Sequence, residues 1–244
     1  IVDEKKILII DQHTGRVKIS NRWEHGLHTA IEVKENVKVQ DDFDSVAVIS
    51  LKNYLKLYNK TSGMSGTIMQ VSEELHEIYN LKCAVLPTHK PMIRKDEPLR
   101  IFRTSVQKDK AIVDRIIENY NNGRPSLVGS ISIKRSDDIA DILKENEVPF
   151  NKLDAKTTKE ESFIIAKAGI DNTITISTSV AGRGTDIKPS KSALDNGGLM
   201  VIGTDLFESV RVDRQLKGRA GRQGNTGSSV FFASLDDFIL KNLS

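Results

Sequence analysis

The chain has 244 residues, 38% of them hydrophobic and 28% charged, enough apolar side chains for the core of one large or two modest domains. Its formal charge is only +3, with 14 basic against 14 acidic residues through Glu97 and 22 against 19 beyond, which argues against a surface built to track nucleic-acid phosphates. A single cysteine, Cys83, leaves no internal disulfide and fits a reducing compartment, and no apolar run is long enough to span a membrane.

Ile7-Leu8-Ile9-Ile10 before Asp11 has the form of a strand ending in a carboxylate. Trp23, Leu27, Ala30 and Ile31 then recur at helical spacing, predicting a core-facing helix over residues 21–34 capped by Ser20 or Asn21. His25 and His28 have a ligand-like spacing, but no third ligand accompanies them, so no metal site is expected. The acidic stretch 41–44 reads as a solvated loop. Leu51, Tyr54, Leu55 and Tyr58 predict a second amphipathic helix ending near Gly63, its aromatic residues in a core. Gly63-Met64-Ser65-Gly66-Thr67 places two small hydroxyls in a glycine-bounded turn. Leu75, Ile78 and Tyr79 predict a short helix, and the apolar run 81–86, with Cys83 inside it, a buried strand.

From residue 87 to 98 three prolines alternate with charged residues, the pattern of an extended connector. It divides the chain into an expected first domain, residues 1–97, and a second, residues 98–244. Beyond it strand and helix signals alternate. Strands are predicted at 99–102, 126–130, 150–153, 173–177, 199–202 and 229–233, and helices at 108–120, 135–145, near 159–168 and from about 210. Such alternation implies an α/β domain with a mainly parallel sheet flanked by helices.

Two stretches carry chemistry. Ile174-Thr175-Ile176-Ser177 alternates like a strand and runs into Ala181-Gly182-Arg183-Gly184-Thr185-Asp186, which would bring backbone amides and a carboxylate to the carboxyl end of the sheet, where open α/β sheets bind ligands. Asp186 can accept from a ribose hydroxyl and Arg183 can meet a phosphate. A plain glycine turn with a helix-capping aspartate fits the same residues. Gly218-Arg219-Ala220-Gly221-Arg222 spaces two arginines by one helical turn, so both guanidinium groups leave one face if the helix persists that far. Gly218 and Gly221, lacking Cβ atoms, let the turn approach a neighbouring element. A planar, permanently charged fork suits a phosphate. A basic helix end complementing its own dipole fits as well.

Together these stretches resemble motifs V and VI of the two-RecA-domain, helicase-like NTPases, and more narrowly the SecA family, the motor ATPases of bacterial Sec protein export. Asp11-Gln12-His13-Thr14-Gly15-Arg16, Arg22-Trp23 with Gly26-Leu27-His28, Gly63-Met64-Ser65-Gly66-Thr67, Pro87-Thr88-His89-Lys90-Pro91 and Leu127-Val128-Gly129-Ser130 are similar to that family too, collinearly from near Val2 to about Asp237. The resemblance implies a RecA-like fold of the P-loop NTPase class. Before it would stand part of a first nucleotide-binding domain, with the strand that returns from a preprotein-crosslinking domain. It also implies Arg222 as an arginine finger with Arg219 beside it, nucleotide contacts by Arg183, Gly184 and Asp186, and coupling through Ser65, Gly66 and Thr67. Asp11 and the Thr14-Gly15-Arg16 turn would be structural or hinge elements.

The cofactors so implied are ATP and Mg2+, the metal's ligands lying mostly outside these residues. The partners are a preprotein, a SecY-type channel and, peripherally, an anionic membrane surface, with a homodimer compatible and no nucleic acid expected. The location is cytoplasmic, peripheral at the cytoplasmic face of the cell membrane. No glycine in the chain is followed by lysine, so the phosphate-gripping Gly-Lys-Ser/Thr loop is missing and the chain alone is expected not to turn over ATP. The first residue is Ile, which points to a piece of a longer protein. The short segment 188–196 resembles accessory SecA forms of Gram-positive bacteria. Asn225 and Leu206 depart from the Asp and Arg usual at those places. Two other readings stay open: the second lobe of a nucleic-acid helicase, and a non-enzymatic docking module.

Overall fold

Parallel strands cannot be joined by a tight turn, so beyond residue 102 each strand needs a segment that carries the chain back before the next can pair. The computed structural model, which describes residues 1–3, 6–10, 17–18, 21–41, 47–153, 161–178 and 185–241, builds that pattern into one of two units. The first unit comprises Ile1–Ile9 and Lys18–Pro87, and the second Ile10–Val17 and Thr88–Ser244.

In the second unit the strands are β1 (Lys95–Asp96), β2 (Arg100–Phe102), β3 (Ser126–Ser130), β4 (Asn151–Leu153), β5 (Ile174–Thr178), β6 (Leu199–Gly203) and β7 (Gly227–Ser234). The helices are α1 (Ser105–Asn121), α2 (Ile133–Glu145), α3 (Glu161–Lys167), α4 (Lys191–Asp195), α5 (Val210–Lys217) and α6 (Phe238–Lys241). The sheet order is β1-β7-β6-β3-β5-β4, β2 also pairs with β7, and every one of these pairings is parallel. Side-chain oxygens of Thr104, Ser132 and Ser190 accept from the amides of Gln107, Arg135 and Ala193, which starts α1, α2 and α4 where the sequence offers a hydroxyl before an apolar repeat.

Because successive strand residues face opposite sides, one strand feeds two cores. Val128, Ile174, Ile176, Met200, Ile202, Val230 and Phe232 pack against Ile112, Val113, Ile116, Ile139, Ala140 and Leu143 of α1 and α2. Leu127, Leu199, Val201 and Phe231 face the other way, onto Ile165, Ala168, Leu216 and Ala220. Each fully buried Ile or Phe stabilises by roughly 1.5–3 kcal/mol relative to exposure. Strand β1 lies inside the stretch that the prolines mark as a connector. Its place at the sheet edge, between Pro91 and Pro98, is where prolines do not interrupt a ladder.

The first unit departs from its apolar pattern. Its helices are Leu27–Lys34, Leu51–Lys56 and Ser72–Tyr79, with a 3-10 turn at Ile68–Val71 and a short antiparallel ladder of Val2–Asp3 with Lys6–Ile7. The first helix begins at Leu27 after a left-handed Gly26, not at a Ser20 or Asn21 cap, and it turns His28 and Glu32 inward while Trp23 and Leu27 stay exposed. The second ends at Lys56, well short of Gly63, and buries none of its residues. Tyr54 and Tyr58 pair with each other, hydroxyls 2.8 Å apart, rather than entering a core. Residues 81–86 are neither strand nor buried: Leu86 is 86% exposed and Cys83 only half-buried. An apolar run becomes an inner strand only when a sheet is present to receive it. Among the described residues of this unit there is no longer ladder for it to join.

Candidate functional site

The helix α5 follows β6 and precedes the parallel β7, so it runs from the carboxyl edge of the sheet back to the amino edge. It stops at Lys217, with Gly218 donating to the Arg214 carbonyl. Arg219 and Ala220 continue as a loose turn, and Gly221 reverses it in the left-handed region at φ 68°. Residues 222–224 then form a short 3-10 turn with Gln223 at φ 56° and Gly224 at φ 72°. The helix therefore does not persist through both arginines, and no common helical face aligns them. Buried Ala220 and Leu216 anchor the turn instead.

Both arginines nonetheless reach the same short segment. Arg219 Nη1 donates to the Thr185 carbonyl at 3.2 Å, and Arg222 Nη1 donates to Asp186 Oδ1 at 2.9 Å. Arg222 Nε also donates to the Gly218 carbonyl at 2.8 Å, so its own turn braces the guanidinium. The Arg222 and Asp186 side chains are 38% and 43% exposed. A pair so open to water contributes at most about 1 kcal/mol, which leaves it free to exchange partners with an anionic ligand. By Ser190, which donates its amide to the Gly169 carbonyl, the chain has come back to the level of the loop before β5. Arg183 and Gly184 lie outside the described residues, as does the 11–16 motif.

In the first unit Thr67 is buried, its hydroxyl 3.3 Å from Ser65 Oγ, and Ser65 Oγ accepts from the Thr67 amide at 3.3 Å. Gly66 between them meets nothing within 4 Å of a Cβ position. The turn is closed by its own hydroxyls.

The carboxyl edge holds a network that motif reading passed over. Lys108, 1% exposed, donates to Asp205 at 2.5 Å and to Asp237 at 2.6 Å. Arg135 donates to Asp205 at 3.1 Å and grips Asp109 with two nitrogens. Thr204 and Ser234 hydroxyls complete the shell of Asp205 and Asp237. Burial works against the charge of Arg135, but Asp109 and Asp205 outweigh it and hold the guanidinium above its ordinary pKa. Asp237 is likewise raised by burial and lowered further by Lys108 and Ser234, the net shift being downward. Asp205 and Asp237 also line a cleft of about 500 Å³ whose apolar walls include Ile131, Leu206, Phe207, Val212 and Phe238. The residues Thr204-Asp205 directly after an apolar strand were the available signal. A lysine in the first turn of a helix gave none.

No cluster of three or more His, Cys, Asp or Glu suited to a metal ion occurs among the described residues. What the arrangement offers is cationic: two guanidinium groups beside one carboxylate.

Comparison with known proteins covers both units. The family model for the SecA DEAD-like domain matches residues 1–76, and that for the SecA P-loop domain matches residues 91–193 and 188–244. The protein translocase subunit SecA of Clostridium botulinum (strain Hall) is 46% identical over 241 residues, 99% of this chain and 29% of that protein. Those of Thermosipho melanesiensis and Christiangramia forsetii are each 44% identical over 99% of this chain, which spans 28% and 22% of them. Among solved structures, the yeast DEAD-box splicing factor Prp28 aligns with TM-score 0.49 at 19% identity, covering 74% of this chain and 38% of that one. Escherichia coli SrmB, solved with the regulator RraA, aligns with TM-score 0.48 at 19% identity, covering 62% of this chain and 83% of that one. The parallel sheet with helices on both faces, together with the P-loop match, makes the second unit a RecA-like domain. With one family matched along both units and near half of the positions identical to its members, the chain belongs to the SecA family.

Proposed function

We propose that this chain is the arginine-bearing portion of an ATP-driven protein-translocation motor. The observation that carries this reading is the convergence of Arg219 and Arg222 on Thr185 and Asp186, two motif segments 33 or more residues apart in sequence. Arg222 is the finger: its fixed positive charge offsets the charge that builds on the γ-phosphoryl oxygens as the bond to the leaving group breaks. Arg219 adds charge and braces the Thr185 carbonyl. Asp186 gives up Arg222 to the phosphates and accepts from the ribose. Arg183 and Gly184 complete the nucleotide contacts. The loop that grips the phosphates and most of the ligands for Mg2+ belong to residues outside this chain, so the chain alone does not hydrolyse ATP.

Ser65, Gly66 and Thr67 couple nucleotide state to domain closure in this reading, and the work of closure is done on a preprotein entering a SecY-type channel at the cytoplasmic face of an anionic membrane. The short segment carrying α4 fits an accessory form, and a homodimer is compatible. The relatives' printed role, protein translocase subunit, supports the motor reading over a nucleic-acid helicase.

The test uses the full-length protein that contains this segment. Arg222→Ala is expected to lower the rate of phosphate release at saturating ATP by about 10³-fold, with nucleotide affinity changed by less than about threefold. Turnover at the wild-type rate by that variant would overturn the finger assignment. Phosphate release by the 244-residue chain alone, lost in its own Arg222→Ala variant, would overturn the composite site.

A further inference from the structure

The glycines of the arginine turn raise a question that the arginines do not answer: what the missing Cβ atoms make room for. At Gly221 it is Arg94. A Cβ built there would lie 2.6 Å from Arg94 Cβ and 3.3 Å from its Cα. At Gly224 it is Lys90, whose Cβ would be 3.0 Å away. The stretch between residues 90 and 96, which belongs to the second unit, therefore runs directly against the turn that carries Arg219 and Arg222.

That stretch is fixed to the sheet. Arg94 donates through Nε and Nη2 to the two carboxylate oxygens of Asp96 at 2.7 and 2.9 Å, with the Arg94 side chain only 12% exposed. Asp96 Oδ1 also accepts from Ser229 Oγ at 2.7 Å, Asp96 pairs with Ser229 in the ladder, and the Glu97 amide donates to the Ser229 carbonyl at 2.8 Å. A guanidinium held by two parallel bonds has little freedom left, and its stem is a firm wall rather than a mobile one. By contrast, Arg222 itself is held by its own turn and by one half-exposed ion pair. The position of its backbone is set from behind.

We propose that Arg94 is a positioning residue for Arg222: clamped by Asp96, it backs Gly221 and so fixes where the next residue presents its guanidinium. This rests on the finger reading of Arg222 given above. Loss of the clamp, which frees the Arg94 backbone and Cβ to move even where an alanine keeps them, lets the turn shift by an ångström or less, and displacement on that scale costs transition-state stabilisation while leaving ground-state binding in place.

The experiment is a double-mutant cycle in the full-length protein, read by single-turnover phosphate release and by binding of a fluorescent ATP analogue. Arg94→Ala is expected to slow the chemical step about 10-fold or more with nucleotide affinity unchanged. In an Arg222→Ala background it is expected to cause no further loss. Arg94→Lys keeps the charge but not the fork and should behave like Arg94→Ala, whereas Asp96→Asn should fall between it and wild type. Circular dichroism at the assay temperature accompanies each variant, and the Lys and Asn substitutions carry the test if Arg94→Ala is unfolded. A loss that adds to that of Arg222→Ala, a parallel fall in affinity, or wild-type rates in folded variants would overturn the proposal while leaving the finger reading intact. If Arg222→Ala itself keeps wild-type turnover, the finger reading fails and this inference with it.

Discussion

Phe232 and Leu51 are both large apolar residues set in a regular hydrophobic pattern, yet Phe232 is fully buried and Leu51 is 70% exposed. Phe232 sits on a strand with parallel partners on both edges and with α1 and α2 covering its face. Leu51 opens a six-residue helix that buries none of its residues. In the first unit the buried positions among the described residues are Ile7, His28, Glu32 and Thr67, mostly polar. Glu32 is held there by a bidentate bond from Arg22 rather than by packing. Hydrophobic period alone thus predicts that a segment can be buried, and a sheet wide enough to collect both faces determines that it is.

The contrast can be broken most directly in the core. Phe232→Ala should destabilise the second unit by about 4 kcal/mol, read as a fall in the urea midpoint at unchanged slope. A loss under about 1 kcal/mol would mean that the two regions do not differ as described. Next comes the ionic network. Lys108→Ala removes the lysine that Asp205 and Asp237 share, leaving Asp205 to Arg135 and Asp237 without a cation among its described partners, and should cost about 3 kcal/mol in the same measurement. Lys108→Ala with Asp237→Asn should recover part of that loss.

Acid sharpens the comparison with a smaller effect. The Asp237 carboxyl is lowered in the folded state, so its contribution is present above the unfolded value of roughly 3.9 and is lost as pH falls through its lower folded value. Asp213 is shifted the other way, burial raising it against the Phe207 amide, so ionising it costs stability as pH rises above the unfolded value. Urea midpoints measured between pH 2 and 6 should therefore show a steeper acid loss in wild type than in Asp237→Asn. The smallest effect belongs to the first unit. Leu51→Ala should change stability by no more than about 0.5 kcal/mol, and amides in residues 51–56 should exchange far faster than those of β3, β6 and β7.

Much of the second unit was readable beforehand because its signals agree with one another. Strands at Ser126–Ser130, Ile174–Thr178, Leu199–Gly203 and Gly227–Ser234 are bounded by turn residues and separated by helical repeats, and each predicted segment overlaps its observed element. The edge strand Lys95–Asp96 was hidden because its partner, Ser228-Ser229, is 133 residues away and its own side chains are charged. Lys108 was hidden for a related reason: a lysine on a helix is ordinarily solvated, and only the return of β6 and β7 to the same edge supplies the carboxylates that bury it. At the candidate site, the arginines and Asp186 were legible as residue types, but the route by which they meet was not. The helix ends at Lys217, and a left-handed Gly221 intervenes.

Sequence by itself determined the alternation of strand and helix, the family to which the chain belongs, and which charged residues stand in motif positions, since all three are local or collinear properties of the chain. Only the tertiary structure decided that Asp186 comes to Arg222, that Arg94 fills the space beside Gly221, and that Lys108 is buried between two carboxylates. Each of these joins residues far apart along the backbone. Their meeting is fixed by the order in which parallel strands pair, and local composition carries no record of that order.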